Sequence, residues 1–276
     1  MSEPEKSSTT VNIIKQSGAT RVSFDDQLAI EEPLEIRLGY TDQRKGRTHK
    51  SISITMRTPG HDRELALGFL YAENIVSAPA QIRSMDDSRP NIVRIELEDS
   101  VALDLARLER HFYTTSSCGV CGKASLEALS MNGAQALADQ SFKISAATLF
   151  TLSDTLRRQQ SLFQLTGGNH AAGVFDSAGR IPLVMEDVGR HNAMDKLIGQ
   201  MLLEGKLPLT QMGMVVSGRA SFELMQKALM AGCPMLVAVG APSSLAVELA
   251  QEFNVALLGF LGDQSVNIYH GAAHIL

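Results

Sequence analysis

The chain has 276 residues, 44% of them hydrophobic, enough to bury one large core or two modest ones. Its 25 Lys+Arg against 30 Asp+Glu give a net charge of −5, which excludes wholesale nucleic-acid binding by counterion release but leaves room for a local basic pocket. No stretch approaches the roughly 20 apolar residues of a membrane span. The opening Met1-Ser-Glu-Pro-Glu-Lys-Ser-Ser-Thr-Thr10 has no apolar core of a signal peptide, so residues 1–20 read as a flexible tail on a cytoplasmic protein.

Residues 21–113 read as a β-rich domain with one helix. Leu34-Glu-Ile-Arg-Leu-Gly-Tyr40, Ser51-Ile-Ser-Ile-Thr-Met-Arg57 and Asn91-Ile-Val-Arg-Ile-Glu-Leu97 alternate with period two, as half-buried strands do. Pro59-Gly60 marks a turn, and Leu65, Phe69 and Leu70 set the apolar face of a helix over 62–74. Residues 114–131 change texture. Thr114-Thr-Ser-Ser-Cys-Gly-Val-Cys-Gly122 has the composition of a mobile loop, and a helix is expected from Lys123 to Met131.

Residues 132–276 alternate element types. Helices are expected over 146–160 (capped by Ser145), 192–203, 222–230 and 243–252. Strands are expected over 171–175, 181–186, 212–216, 234–239 and 255–260, the first two joined by the hairpin signature Asp176-Ser-Ala-Gly179. Such alternation predicts an α/β domain, α+β for the whole chain, around a largely parallel sheet whose ligands lie beyond the carboxyl ends of its strands. Three segments follow predicted strands there: Ser217-Gly-Arg-Ala-Ser221, Gly240-Ala-Pro-Ser-Ser244 and Leu261-Gly-Asp-Gln-Ser265.

The three cysteines are Cys118, Cys121 and Cys233. An odd, low count argues against a disulfide framework, so a pair three positions apart asks for a chemical reason. A thiolate is a strong nucleophile, and a second thiol one helical turn away can resolve what the first captures. A helix N-terminus and Lys123 would both lower a neighbouring thiol's pKa. A persulfide relay, a zinc ligand pair, a dithiol redox pair and two inert thiols all remain open. Deaminase zinc chemistry does not fit: Ser117, not proline, precedes Cys118, and His61-Asp-Arg-Glu64 has the wrong spacing for its upstream half.

Glu186-Asp-Val-Gly-Arg-His-Asn-Ala-Met-Asp-Lys196 gathers polar residues at a strand-to-helix junction, where Arg190 and His191 could hold an anion. Ordinary capping and surface salt bridges give the same composition. Ser217-Gly-Arg-Ala-Ser221 has the same form, and a simple capped loop is its plainer reading. Two such junctions in one domain favour a phosphate-bearing ligand. His170, closing Leu165-Thr-Gly-Gly-Asn-His170, is either catalytic or structural. Cys233, between Gly232 and Pro234, reads as a buried core thiol.

Taken in order, Ser117-Cys-Gly-Val-Cys-Gly122, Leu165-Thr-Gly-Gly-Asn-His-Ala-Ala172, Glu186 to Lys196, Val216-Ser-Gly-Arg-Ala-Ser221 and Gly259-Phe260 with Asn267-Ile-Tyr269 resemble the FdhD family of formate dehydrogenase accessory sulfurtransferases. The resemblance spans the chain from about Val22 onward. It implies a sulfur carrier. A cysteine desulfurase would load sulfane sulfur onto Cys118, the family's persulfide position, with Cys121 as its partner. The sulfur would pass to the molybdenum (or tungsten) bis-guanine-dinucleotide pterin cofactor, bound as substrate, before that cofactor enters the formate dehydrogenase apoenzyme. The resemblance also implies a homodimer, no permanent metal, and a cytidine-deaminase-like three-layer C-terminal domain without the zinc site. The family's guanine-dinucleotide segment usually carries basic residues. Here it reads Phe260, Leu261, Gly262, Asp263, Gln264, Ser265. Its phosphate contacts would therefore come from backbone N–H groups or Ser265, with Arg190 and Arg219 supplying charge and His191 and Ser217 beside them. The rival functions are a zinc-stabilised, non-catalytic adaptor for the dehydrogenase and a dithiol oxidoreductase.

Overall fold

The computed structural model describes residues 6–42, 46–101, 135–138 and 142–276. Cys118, Cys121 and the helix expected from Lys123 lie outside the described residues.

Part of the expected tail is a hairpin. β1 (Ser8–Ser17) pairs antiparallel with β2 (Thr20–Ala29), turning at Gly18, whose φ is 59°. The register explains it. Val11, Ile13, Val22, Phe24 and Leu28 fall on one face, while hydrogen-bonded Asn12–Asp25 and Thr10–Gln27 pairs line the other.

Strands β3 (Glu32–Asp42), β4 (Gly46–Arg57), β5 (Ile82–Arg89) and β6 (Ile92–Leu97) form a sheet in the order β4-β3-β6-β5. The alternation in β3 and β6 turns Leu34, Ile36, Leu38, Val93, Ile95 and Leu97 to one face. There they bury against Leu65, Leu67 and Leu70 of α1 (Asp62–Ala72).

The C-terminal unit is a three-layer α/β sandwich. Strands β7 (His170–Phe175), β8 (Leu183–Asp187), β9 (Gly213–Val216), β10 (Met235–Ala238), β11 (Ala256–Gly259) and β12 (Asn267–His270) lie in the order β12-β11-β10-β9-β7-β8. The two-residue period divides each strand. Met214, Val216, Leu236, Ala238 and Leu257 meet α5 (Arg190–Leu203), α6 (Phe222–Met230) and α7 (Ser244–Glu252). Val215, Met235, Val237, Ala256 and Leu258 face the other layer, α2 (Ala146–Phe150) and α3 (Leu152–Gln159), which a short α4 (Ser161–Thr166) continues. Ser145, Ser221 and Ser243 each accept a backbone N–H at the start of α2, α6 and α7. The expectation of a largely parallel sheet needs correction. Only β9, β10 and β11 run parallel to one another; the β7–β8, β7–β9 and β11–β12 pairings are antiparallel.

A helix crossing and a buried polar seam join the units. A Cβ added at Gly68 of α1 would lie 1.8 Å from the Asp195 carbonyl oxygen, and one added at Gly199 of α5 would lie 1.8 Å from that of Glu64. Each helix thus rests its backbone on a glycine of the other. Beside the crossing, Lys196 Nζ pairs with Asp187 at 2.7 Å and donates to the Thr58 carbonyl at 2.8 Å. Thr58 N–H donates to Asp187 in return. Asn192 donates to the Met56 carbonyl and to Asp187. Thr58, Asp187, Asn192 and Lys196 are all buried.

Candidate functional site

The topology gathers the polar motifs on one edge of the large sheet. β9, β10 and β11 end there, and β7, antiparallel to β9, begins there with His170. β8 ends there too, delivering Arg190 and His191 on the first turn of α5. Gly240 N–H donates to the Gly218 carbonyl, Ser243 N–H to that of Ala220, and Phe260 N–H to that of Gly240. The three loops therefore form one rim. The loops approach closely at Gly240, where an added Cβ would lie 3.0 Å from the Gly218 carbonyl oxygen and 3.1 Å from Arg219 Cα.

The named residues divide by role. Arg219 is exposed, Arg190 half-buried, and Phe260 is 51% exposed in a left-handed conformation with φ 55°. Asp263, Gln264 and Ser265 are exposed. Leu261 is different: its side chain is 3% exposed and belongs to the core under the rim. The N–H groups of Phe260, Leu261 and Gly262 already donate to the carbonyls of Gly240, Ala238 and Ser265. The segment thus has few uncommitted N–H donors, and among the described residues the positive charges at this rim are those of Arg190 and Arg219. Ser217 Oγ accepts the Ala171 N–H at 2.8 Å, leaving its own O–H proton free to donate.

His191 Nε2 lies 3.3 Å from Ser221 Oγ and 3.8 Å from the Glu223 carboxylate. One ring nitrogen serves both neighbours, so this is not a nucleophile relay, which needs the two nitrogens on opposite partners. His191 holds the Glu223 carboxyl down to about 2. His170 is half-buried beside Gly218, where an added Cβ would lie 3.2 Å from its Nδ1 and 4.0 Å from Arg190 Cδ. Burial, then the charges of Arg190 and His191, push its imidazole below the ordinary range, against the pull of Asp187. Cys233 is fully buried, 3.2 Å from the Met235 carbonyl and 3.4 Å from that of Met212, and burial pushes its thiol up to about 12. It is an inert core thiol.

The sequence motif Glu186–Lys196 splits between rim and seam. Only Arg190 and His191 face the rim. Asp187, Asn192 and Lys196 face the seam, and Glu186 accepts the Leu162 and Phe163 N–H groups at the start of α4. Thr58 was not singled out in the sequence. A threonine before Pro59-Gly60 gives no local sign that it will meet residues about 130 positions away.

Residues 29–276 match the FdhD/NarQ family. The chain is 47% identical over 264 residues to "Sulfur carrier protein FdhD" of Mycolicibacterium paratuberculosis, covering 92% of this chain and 93% of that one. It is 46% identical to the protein of that name from Streptomyces coelicolor, covering 91% and 89%, and 40% identical to that from Sulfurisphaera tokodaii, covering 94% and 95%. A crystal structure from Desulfotalea psychrophila, provisionally named a formate dehydrogenase accessory protein, has the same fold: TM-score 0.75, 22% identity, 98% of this chain and 100% of that one. No helix among the described residues is long and apolar enough to cross a membrane.

Proposed function

The chain belongs to the FdhD/NarQ family, and from that premise we propose that it is a sulfur carrier serving formate dehydrogenase. The observation that carries this reading is the near full-length similarity to bacterial and archaeal relatives named as sulfur carriers.

In this reading Cys118 is the carrier thiol and Cys121 its partner. The Cys118 thiolate attacks the outer sulfur of a cysteine desulfurase persulfide. A new S–S bond forms on Cys118, the desulfurase S–S bond breaks, and the desulfurase cysteine leaves as thiolate, so electrons balance without an added oxidant. The substrate is the molybdenum (or tungsten) bis-guanine-dinucleotide pterin cofactor. Its guanine nucleotide would dock on the rim, with Arg190 and Arg219 facing the diphosphate and the Phe260 ring available to stack on the base. Holding the cargo at one place raises the effective concentration of its metal for the persulfide. The exclusion of Cys233 supports the assignment to the pair, because a thiol pushed up to about 12 and fully buried cannot carry sulfur.

Intact-protein mass spectrometry after incubation with a desulfurase and cysteine tests this. Wild type should gain about 32 Da per sulfur, reversibly on reduction. Cys118→Ala should not, and Cys233→Ser should load as wild type does. Loading of Cys118→Ala at the wild-type level would sink the assignment. Stoichiometric zinc in the purified protein would favour an adaptor instead.

A further inference from the structure

Two nitrogen-bearing groups on the rim lack the partners their surroundings call for. Arg190 Nε is buried yet has no hydrogen-bond partner among the described residues. A guanidinium N–H so placed ordinarily has an acceptor. The His170 ring makes no hydrogen bond among the described residues, although its neighbours on either side are firmly held. Asn169 donates to Thr58, and Ala171 N–H donates to Ser217. The pleat of β7 sets His170 on the same face as Ala172 and Val174, the face toward α5, at the end of the strand that meets the rim. Gly218 then lets the imidazole and the Arg190 side chain approach one another across a residue with no side chain.

We propose that His170 and Arg190 form a proton-linked clasp for a phosphate oxyanion, in which His170 takes up a proton from solvent as the phosphate arrives. The inference rests on the reading that the rim holds phosphate-bearing cargo, and it adds a residue and a pH dependence to that reading.

The electrostatics around the ring agree. Among the described residues, the charged and titratable groups acting on His170 are Arg190 and His191 from α5 and Asp187 from β8, and the loop after β9 places Gly218 beside it. Burial first, then the charges on Arg190 and His191, push the His170 imidazole below its ordinary range, against Asp187. A phosphate between His170 and Arg190 replaces repulsion with attraction, and the protonated ring then donates to a phosphate oxygen. No covalent bond changes. One proton moves from buffer to imidazole.

The test is titration calorimetry of inorganic pyrophosphate across pH 6 to 8, in buffers of different ionisation enthalpy, with wild type and His170→Gln. Both proteins see the same ligand titration, so the difference isolates the histidine. Wild type should take up more protons, and its affinity should fall with rising pH more steeply, by up to about tenfold per pH unit. Equal proton uptake and equal slopes overturn the clasp. Proton NMR of the His170 ring in wild type needs no variant: pyrophosphate should raise its titration midpoint, and an unmoved midpoint overturns the clasp. A parallel GDP titration separates the two readings. Pyrophosphate binding with the histidine difference but no GDP binding keeps the clasp and removes the guanine site. GDP binding with no histidine difference keeps the guanine site and removes the clasp. No binding of either ligand at millimolar concentration removes both.

Discussion

The seam and the rim share one eleven-residue segment, Glu186–Lys196, whose two halves differ in almost every physical respect. At the seam, Asp187 and Lys196 are shielded from water, and each has a partner in Thr58, just past the end of β4 in the other unit. At the rim, Arg190 and His191 are only partly buried, and Arg190 Nε has no partner among the described residues. The difference is helical phase: positions 192 and 196 fall one turn apart on the face of α5 toward α1, and 190 and 191 on the face toward the sheet edge. A polar motif is thus not one site. Half of it holds the scaffold, and the other half is left for a ligand.

The sharpest way to break this division is Lys196→Met. It strands the Asp187 carboxylate in a dry interior, and the expected loss is about 3–5 kcal/mol of stability. Arg190→Ala, six residues away, should shift the denaturation midpoint little while weakening phosphate binding. Urea denaturation of both variants checks it; equal destabilisation would show that rim and seam are one unit.

Gly199→Ala comes next. In an exposed helix interior this change stabilises by about 1 kcal/mol. Here the new Cβ would stand 1.8 Å from the Glu64 carbonyl oxygen, so backbone has to move. Destabilisation by about 1–3 kcal/mol is expected, and the reversed sign in thermal melts is the diagnostic.

The smallest effect belongs to the rim itself. Glu223 sits at about 2 in the folded protein because His191 faces it. A depressed carboxylate adds stability above its ordinary range and loses it as pH falls toward about 2. Glu223 is 60% exposed, so solvent screens the pair and the contribution stays below about 1 kcal/mol. Melting temperatures of wild type and Glu223→Gln should differ slightly at pH 6 and converge toward pH 2. A gap that widens on acidification would contradict the assignment.

The sequence reading succeeded where signals are local. The period-two strands, the helix at 222–230 and the cap at Ser145 all appear at their expected positions. It failed where partners are remote. Polar Ser8–Thr10 hid a strand whose meaning depends on Val22 and Phe24 across the turn, and β12 joins the sheet antiparallel after the last helix has ended the alternating pattern. The rim loops were anticipated from their place after strands. Which of their groups were already committed was not, since the Leu261 side chain and the Phe260 and Leu261 N–H groups are claimed by tertiary contacts. The cysteine pair, the strongest motif in the sequence, lies outside the described residues.

The reciprocal glycine crossing has a consequence for how the protein melts. Two hydrophobic cores sharing a slippery, side-chain-lined boundary could come apart in succession. Here α1 and α5 meet backbone to backbone, and Leu202 of α5 reaches into the core of the other unit. Neither helix can loosen without opening a void against the other's main chain. The two cores are therefore expected to lose structure in one cooperative heat-absorption peak, with calorimetric and van't Hoff enthalpies in agreement.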